Sequence, residues 1–250
     1  MTSTVRPVAA VTGAAGGIGA AIATRLVHDG FSVALLDIAD TVHTTCNEIN
    51  GARSAQLDVA DRHEVRRVMD EIVDEVGALG VVVNCAGTAH RTSFADTSPE
   101  EFMADVRTNL LGTFLICQAA VFPHMQRARR GRLINVASVS GKTGGTGPAH
   151  VDGSGGRSGA GYASAKAGVI NLTRWIAREV GRLGITSNAV APGPITTAMT
   201  EGQRYDTSEI PMGRLGTPEE VAGAVAWLAC DEAGYVNGTV IDVDGGLTRA

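Results

Sequence analysis

The chain is poor in most of the features that mark non-enzymatic classes of protein. Of its 250 residues only four are cysteine, Cys46, Cys85, Cys117 and Cys230. No two of them form a C-x-x-C pair or a zinc-ligand spacing, which excludes a disulfide scaffold and a structural zinc site. Reduced thiols in the cytoplasm are the expectation. Positive charge is scarce too: the net charge is −5, and only two residues are lysine, Lys142 and Lys166. With no basic stripe and few aromatics, the sequence offers no footing for nucleic acid. No apolar run approaches the length of a membrane span. The apolar run that begins at Pro7 meets Thr12-Gly13 too soon for a signal peptide.

Glycine is the exception, with 32 residues and no collagen period. That excess points to tight turns or to backbone brought close to a ligand. Short apolar runs alternate with segments of helical period. The expected strands are 8–11, 32–36, 55–59, 80–83, 132–136, 185–190 and 240–243. The expected helices include 20–27, 62–76, 162–183 and 221–229. Asp61, Ser98-Pro99-Glu100-Glu101 and Thr217-Pro218-Glu219-Glu220 carry cap, proline and acid signals for helix starts. Strands alternating with helices predict an α/β fold: a doubly wound, seven-stranded parallel sheet of Rossmann type, with helices on both faces. No linker divides residues 1–250, so a single domain is expected. Residues 141–161 hold nine glycines and are read as a loop.

Three motifs carry chemistry. The first strand runs into Thr12-Gly13-Ala14-Ala15-Gly16-Gly17-Ile18-Gly19 and then a helix. Such a turn lets backbone N–H groups approach a pyrophosphate, although alone it also suits a tight turn without a ligand. Asp37 ends the second strand 18 residues after Gly19. A carboxylate there would bind ribose hydroxyls and repel a 2′-phosphate, with no Lys or Arg at Ala14, Ala15, Ile38 or Ala39 to offset it. This predicts NAD over NADP. Tyr162 and Lys166 stand four apart, on one face of a helix. An ammonium near a phenol favours the phenolate, so the pair can exchange a proton with a hydroxyl or carbonyl.

These residues, with N-C-A-G at 84–87, Ser138, Y-A-S-A-K at 162–166 and P-G at 192–193, resemble the short-chain dehydrogenase/reductase superfamily. The glycine motif fits both of its main branches. Length and N-C-A-G favour the compact one. P-M-G-R-L-G-T-P-E-E-V-A at 211–222 and V-D-G-G at 243–246 look most like its 3-oxoacyl-carrier-protein reductase group. The resemblance implies that Gly13, Gly17, Ile18 and Gly19 line the pyrophosphate. Asp58 and Val59 would flank the adenine, and Asn84, Ala86 and Gly87 would shape the wall beside the ribose. Pro192 and Gly193 would contact the cofactor, and Ile195 and Thr197 would hold the carboxamide. Asn109 would anchor a proton-relaying water, Ser138 would bind the substrate oxygen, and Tyr162 would transfer the proton. Lys166 would assist Tyr162 and bind the nicotinamide ribose. No metal is implied. A homotetramer is, with helices near 98–122 and 162–183 at one interface.

The sequence also departs from that family. Ser138 and Tyr162 are 24 residues apart, about double the usual separation, because of the glycine-rich insertion at 141–161. His150, Asp152 and Arg157 are its chemically able residues. It either borders the substrate pocket or is a tolerated surface loop. The lid expected at 194–210 is short. A carrier-docking base has a counterpart at Arg129, but its second position is Leu183, with Arg182 beside it. Arg91, Arg157, Arg204 and Tyr205 could meet an acidic or polar substrate, though surface arginines are the preferred reading. The resulting expectation is an NAD-dependent enzyme that interconverts a small secondary alcohol and a ketone. An oxoacyl (carrier protein or CoA) reductase and a non-catalytic dinucleotide-binding regulator are the alternatives.

Overall fold

The computed structural model describes residues 7–145, 157–200 and 205–248. Seven parallel strands form one sheet in the order β3-β2-β1-β4-β5-β6-β7. They are β1 (Val8–Thr12), β2 (Ser32–Asp37), β3 (Arg53–Gln56), β4 (Leu79–Asn84), β5 (Gly131–Val136), β6 (Ile185–Pro192) and β7 (Val240–Val243). The order reverses between β1 and β4. In a parallel sheet the crevice beyond the strand ends at such a switch point is where ligands bind.

The strands are apolar on both sides because helices cover both faces. Ala9 and Val11 of β1 pack into one core with Ile22 and Leu26 of helix α1 (Gly17–His28). Val8 and Ala10 pack into the other core with Val65, Met69 and Ile72 of helix α3 (Arg62–Glu75). Each Leu or Ile buried this way stabilises the fold by roughly 1.5–3 kcal/mol.

The cap signals act as read. Asp61 accepts from the His63 and Glu64 N–H groups. Ser98 accepts from Glu101 N at 3.1 Å and starts helix α4 (Pro99–Asp105). Thr217 and Glu220 form a reciprocal capping box on helix α9 (Pro218–Ala229).

Two elements differ from expectation. The third strand is Arg53–Gln56, not 55–59: Leu57 and Val59 are buried beyond the strand's end, where they line a cavity. Both also pack into the core that holds Val65 and Met69, so the run stays apolar after it leaves the sheet. Helix α2 (Val42–Glu48) carried no sequence signal, because only Val42 and Cys46 of it are buried. After α4 the chain passes through a π turn at Val106–Leu111 into helix α5 (Gly112–Ala119), and Asn109 lies fully buried within that turn. Short α6 (Gln126–Ala128) and α7 (Ser140–Thr143) follow, and helix α8 (Ala160–Val180) leads into β6. Among the described residues no helix is long and apolar enough to cross a membrane.

Candidate active site

A cavity of about 470 Å³ opens over the carboxyl ends of the strands at the switch point. One wall is the turn between β1 and α1. Gly13 has φ +69°, and a Cβ on it would sit 2.7 Å from the Ala86 backbone N. A Cβ on Gly19 would run into the Gly13 carbonyl, so the helix packs directly on the turn. Helix α1 follows Gly16 at its cap position, with no side-chain cap bond and no acid in its first turn. Helices α3, α4 and α9 all have both. The first-turn N–H groups of α1 therefore belong to residues that border the cavity, where a pyrophosphate would satisfy them. Thr12, beyond its place in the motif, has a role that sequence reasoning missed. Its Oγ1 accepts from Cys85 N at 3.1 Å and Ala86 N at 3.2 Å, which clamps the opposite wall to β1.

Asp37 ends β2 at the cavity's edge. Its Oδ2 accepts from Ala15 N at 3.0 Å and its Oδ1 from Ala39 N at 2.9 Å. These bonds hold the carboxylate where the adenosine ribose would lie. Asp58 and Val59 border the same end. The turn, its uncapped helix and this fixed acid together fit a dinucleotide.

At the other end stand the residues expected to carry the chemistry. Ser138, just beyond β5, borders the cavity together with Tyr162. Its Oγ also accepts from Ser140 N at 3.1 Å. Lys166 lies one turn along α8, with Nζ 5.7 Å from the centre of the Tyr162 ring. It donates to the Val136 carbonyl at 2.7 Å. Burial draws the Lys166 ammonium down to about 8, partly countered by Cys85 and Asp105. Burial pushes the Tyr162 phenol above its usual value, while the Ser138 hydrogen bond and then the Arg91 charge pull it back. Desolvation thus outweighs the influences that lower the phenol.

Asn109 donates to the Thr88 and Asp105 carbonyls, each at 2.9 Å. Its buried Oδ1 has no hydrogen-bond partner among the described residues. A Cβ on Gly87 would lie 2.6 Å from that oxygen and 3.7 Å from Lys166 Nζ, so both groups face one spot beside Gly87.

Almost every site residue expected from sequence borders this cavity: Gly13, Gly17, Ile18, Gly19, Asp37, Asp58, Val59, Ala86, Gly87, Asn109, Ser138, Tyr162, Lys166, Pro192, Gly193, Ile195 and Thr197. Asn84 does not. Its side chain turns inward at the end of β4 and donates to Asn135 Oδ1 at 2.8 Å on β5. It braces the 85–87 wall from behind rather than facing the cavity.

The glycine-rich stretch does not keep Ser138 from Tyr162. Arg157 donates to the Gly144 carbonyl at 3.0 and 2.7 Å, and Ser158 Oγ meets Ser140 Oγ at 3.0 Å. These bonds close the base of the stretch, and Gly159 N anchors to the His90 carbonyl at 2.8 Å. His150, Asp152 and Arg204 lie outside the described residues. Arg129 donates to the Arg182 carbonyl at 2.8 Å. Arg91 and Tyr205, set aside in favour of surface arginines, both border the cavity and bond to each other at 3.0 Å.

Comparison with known proteins agrees with this geometry. The profile of a family described as "Enoyl-(Acyl carrier protein) reductase" matches residues 13–248. The (3R)-3-hydroxyacyl-CoA dehydrogenase of Rattus norvegicus is 38% identical over 257 residues, with 96% of this chain and 95% of that protein covered. The 3-oxoacyl-[acyl-carrier-protein] reductase FabG of Thermotoga maritima is 37% identical over 247 residues, covering 95% and 96%. The crystal structure of gox2181 superposes with a TM-score of 0.89 at 30% identity, covering 98% and 96%. The chain belongs to the short-chain dehydrogenase/reductase superfamily, in its compact branch, and is an NAD(P)-dependent oxidoreductase acting on CH–OH and C=O groups.

Proposed function

We propose that the protein interconverts a small secondary alcohol and its ketone with NAD rather than NADP. The observation that carries this reading is one cavity with Asp37 fixed at one end and the Ser138–Tyr162 pair at the other. Gly13, Gly17, Ile18 and Gly19 would hold the pyrophosphate, with Asp58 and Val59 beside the adenine. Ala86, Gly87, Pro192, Gly193, Ile195 and Thr197 would line the ribose and nicotinamide half. The bound nicotinamide supplies the hydride acceptor or donor. A carboxylate at Asp37 would accept from ribose hydroxyls and repel a phosphate in their place.

Ser138 would donate to the substrate oxygen and place it beside Tyr162. In reduction the protonated phenol, favoured by burial, gives its proton to that oxygen. In oxidation the phenolate takes the alcohol proton, and the Arg91 charge supports it. Lys166 lies beside the phenol and would also bind the nicotinamide ribose. Asn109 would hold a water beside Lys166, through which protons reach solvent. Four free cysteines suit a reducing compartment, the cytoplasm. Assembly as a homotetramer would cover Met103, Leu111, Phe114 and Trp175, which lie exposed on the helices expected at the interface.

A second reading has a specific basis. The curated relatives include acyl-carrier-protein and acyl-CoA enzymes, which favours a 3-oxoacyl thioester substrate. A panel of secondary alcohols with NAD⁺, run beside a 3-oxoacyl thioester with NADH and NADPH, separates the two. The proposal predicts NADH formation from at least one alcohol. Turnover confined to the thioester with NADPH would replace it with the reductase reading. Dinucleotide binding with no turnover anywhere would leave the regulatory alternative.

A further inference from the structure

Charge is distributed unevenly along the cavity. Among the described residues that border it, the carboxylates are Asp37 and Asp58, both at the adenosine end. The cations are Lys166 and Arg91, and both lie with Tyr162. Lys166 is committed to the Val136 carbonyl and the phenol. Arg91 exchanges no proton in the hydride-transfer chemistry and acts there only through its charge on Tyr162. It rises from the loop after β4, and its Nη2 donates at 3.0 Å to the hydroxyl of Tyr205, which lies 114 residues away. Arg91 and Tyr205 border the same cavity as Tyr162, and the carbonyl of the neighbouring His90 accepts from Gly159 N at 2.8 Å just before α8, which sets Arg91 at the Tyr162 end.

We propose that Arg91, held in place by Tyr205, anchors a carboxylate of the substrate, and that the enzyme acts on short oxo acids and the matching hydroxy acids. The inference rests on the alcohol–ketone reading above and names its substrate class. A guanidinium is a planar fork that matches the two oxygens of a carboxylate. The carboxylate would join the contacts the guanidinium already makes. Inside a partly enclosed cavity the attraction is worth more than at an exposed surface. Ser140 and Ser158 also border the cavity and add neutral hydroxyls. An acyl thioester carries no charge beside its carbonyl, so it would set an uncharged group against the guanidinium.

Acetoacetate and its ethyl ester, each reduced with NADH, share the reacting ketone and differ in the charge. The wild-type protein is expected to favour the acid in kcat/KM. In Arg91→Leu the acid-to-ester ratio of kcat/KM should fall by about 30-fold or more, chiefly through KM for the acid. Arg91→Lys should retain part of the preference. A fall in kcat common to both substrates follows from the loss of charge beside Tyr162, and the ratio cancels it.

An unchanged ratio in an Arg91→Leu protein that still binds NADH would overturn the proposal. So would a wild-type protein that reduces the ester but not the acid. If Arg91→Leu does not fold, the wild-type preference and the Arg91→Lys ratio decide. Wild-type protein that transfers hydride to neutral ketones but to neither probe defeats the oxo-acid proposal alone. No hydride transfer to any substrate defeats the alcohol–ketone reading with it.

Discussion

Tyr162→Phe is expected to lower turnover by roughly 10²–10⁴-fold, the range for loss of a positioned general acid or base. The substitution removes one hydroxyl and leaves the ring, which is packed with Lys166 Nζ 5.7 Å from its centre. Ser138 keeps its bond from Ser140 N. The cofactor walls at Gly13, Asp37 and Ile195 are untouched, so NADH affinity should stay within a few-fold. Steady-state kinetics beside an NADH titration checks both halves. Full activity in Tyr162→Phe would refute the proton-transfer role. Loss of NADH binding would mean that the substitution disturbed the cavity rather than the chemistry.

The second large effect concerns the turn that would receive the pyrophosphate. Gly13→Ala should destabilise the fold by about 2–4 kcal/mol, from left-handed backbone strain and overpacking together. Gly13 has φ +69°, and its added Cβ would meet Ala86 N at 2.7 Å. That atom is backbone, clamped by Thr12 Oγ1, so it cannot swing aside. Gly16 provides the control. Its φ is −175°, ordinary extended backbone, and a Cβ there meets nothing within 4 Å. Thermal unfolding of the two variants should show a large drop for Gly13→Ala and little change for Gly16→Ala. Equal drops would mean that general loop loosening, not the close approach to Ala86, governs the turn.

Much of the fold is legible in the sequence because its signals are local. Asp61, Ser98 and Thr217 each bond backbone N–H groups two or three residues on, and each starts a helix as the spacing predicts. The alternation of Val8 and Ala10 against Ala9 and Val11 between two cores reflects a strand covered on both faces. Legibility fails where burial is not periodic. Helix α2 buries only Val42 and Cys46, too narrow a stripe to read. Leu57 and Val59 are buried in the core beyond the end of β3, and that apolar run mimics a strand.

The site divides in the same way. Ser138, Tyr162 and Lys166 converge because strand ends and the start of α8 meet at one edge of the sheet. Their spacing shows this as far as the glycine-rich stretch allows. The turning of Asn84 toward Asn135 instead of the cavity depends on a contact 51 residues away. The pairing of Arg91 with Tyr205 depends on one 114 residues away. The raised Tyr162 phenol depends on desolvation by the whole surrounding structure. Sequence spacing registers none of these.

If Asp37 selects the unphosphorylated dinucleotide, titration of the purified protein with NADH and with NADPH shows it. Fluorescence of the reduced nicotinamide reports binding without any need for the substrate. NADH is expected to bind tightly and NADPH at least about tenfold more weakly, since each 1.4 kcal/mol of phosphate repulsion at Asp37 is a factor of ten. Equal or tighter NADPH binding would contradict the role of Asp37 and bring the thioester reductase reading forward. Binding of neither would contradict the account of the cavity itself.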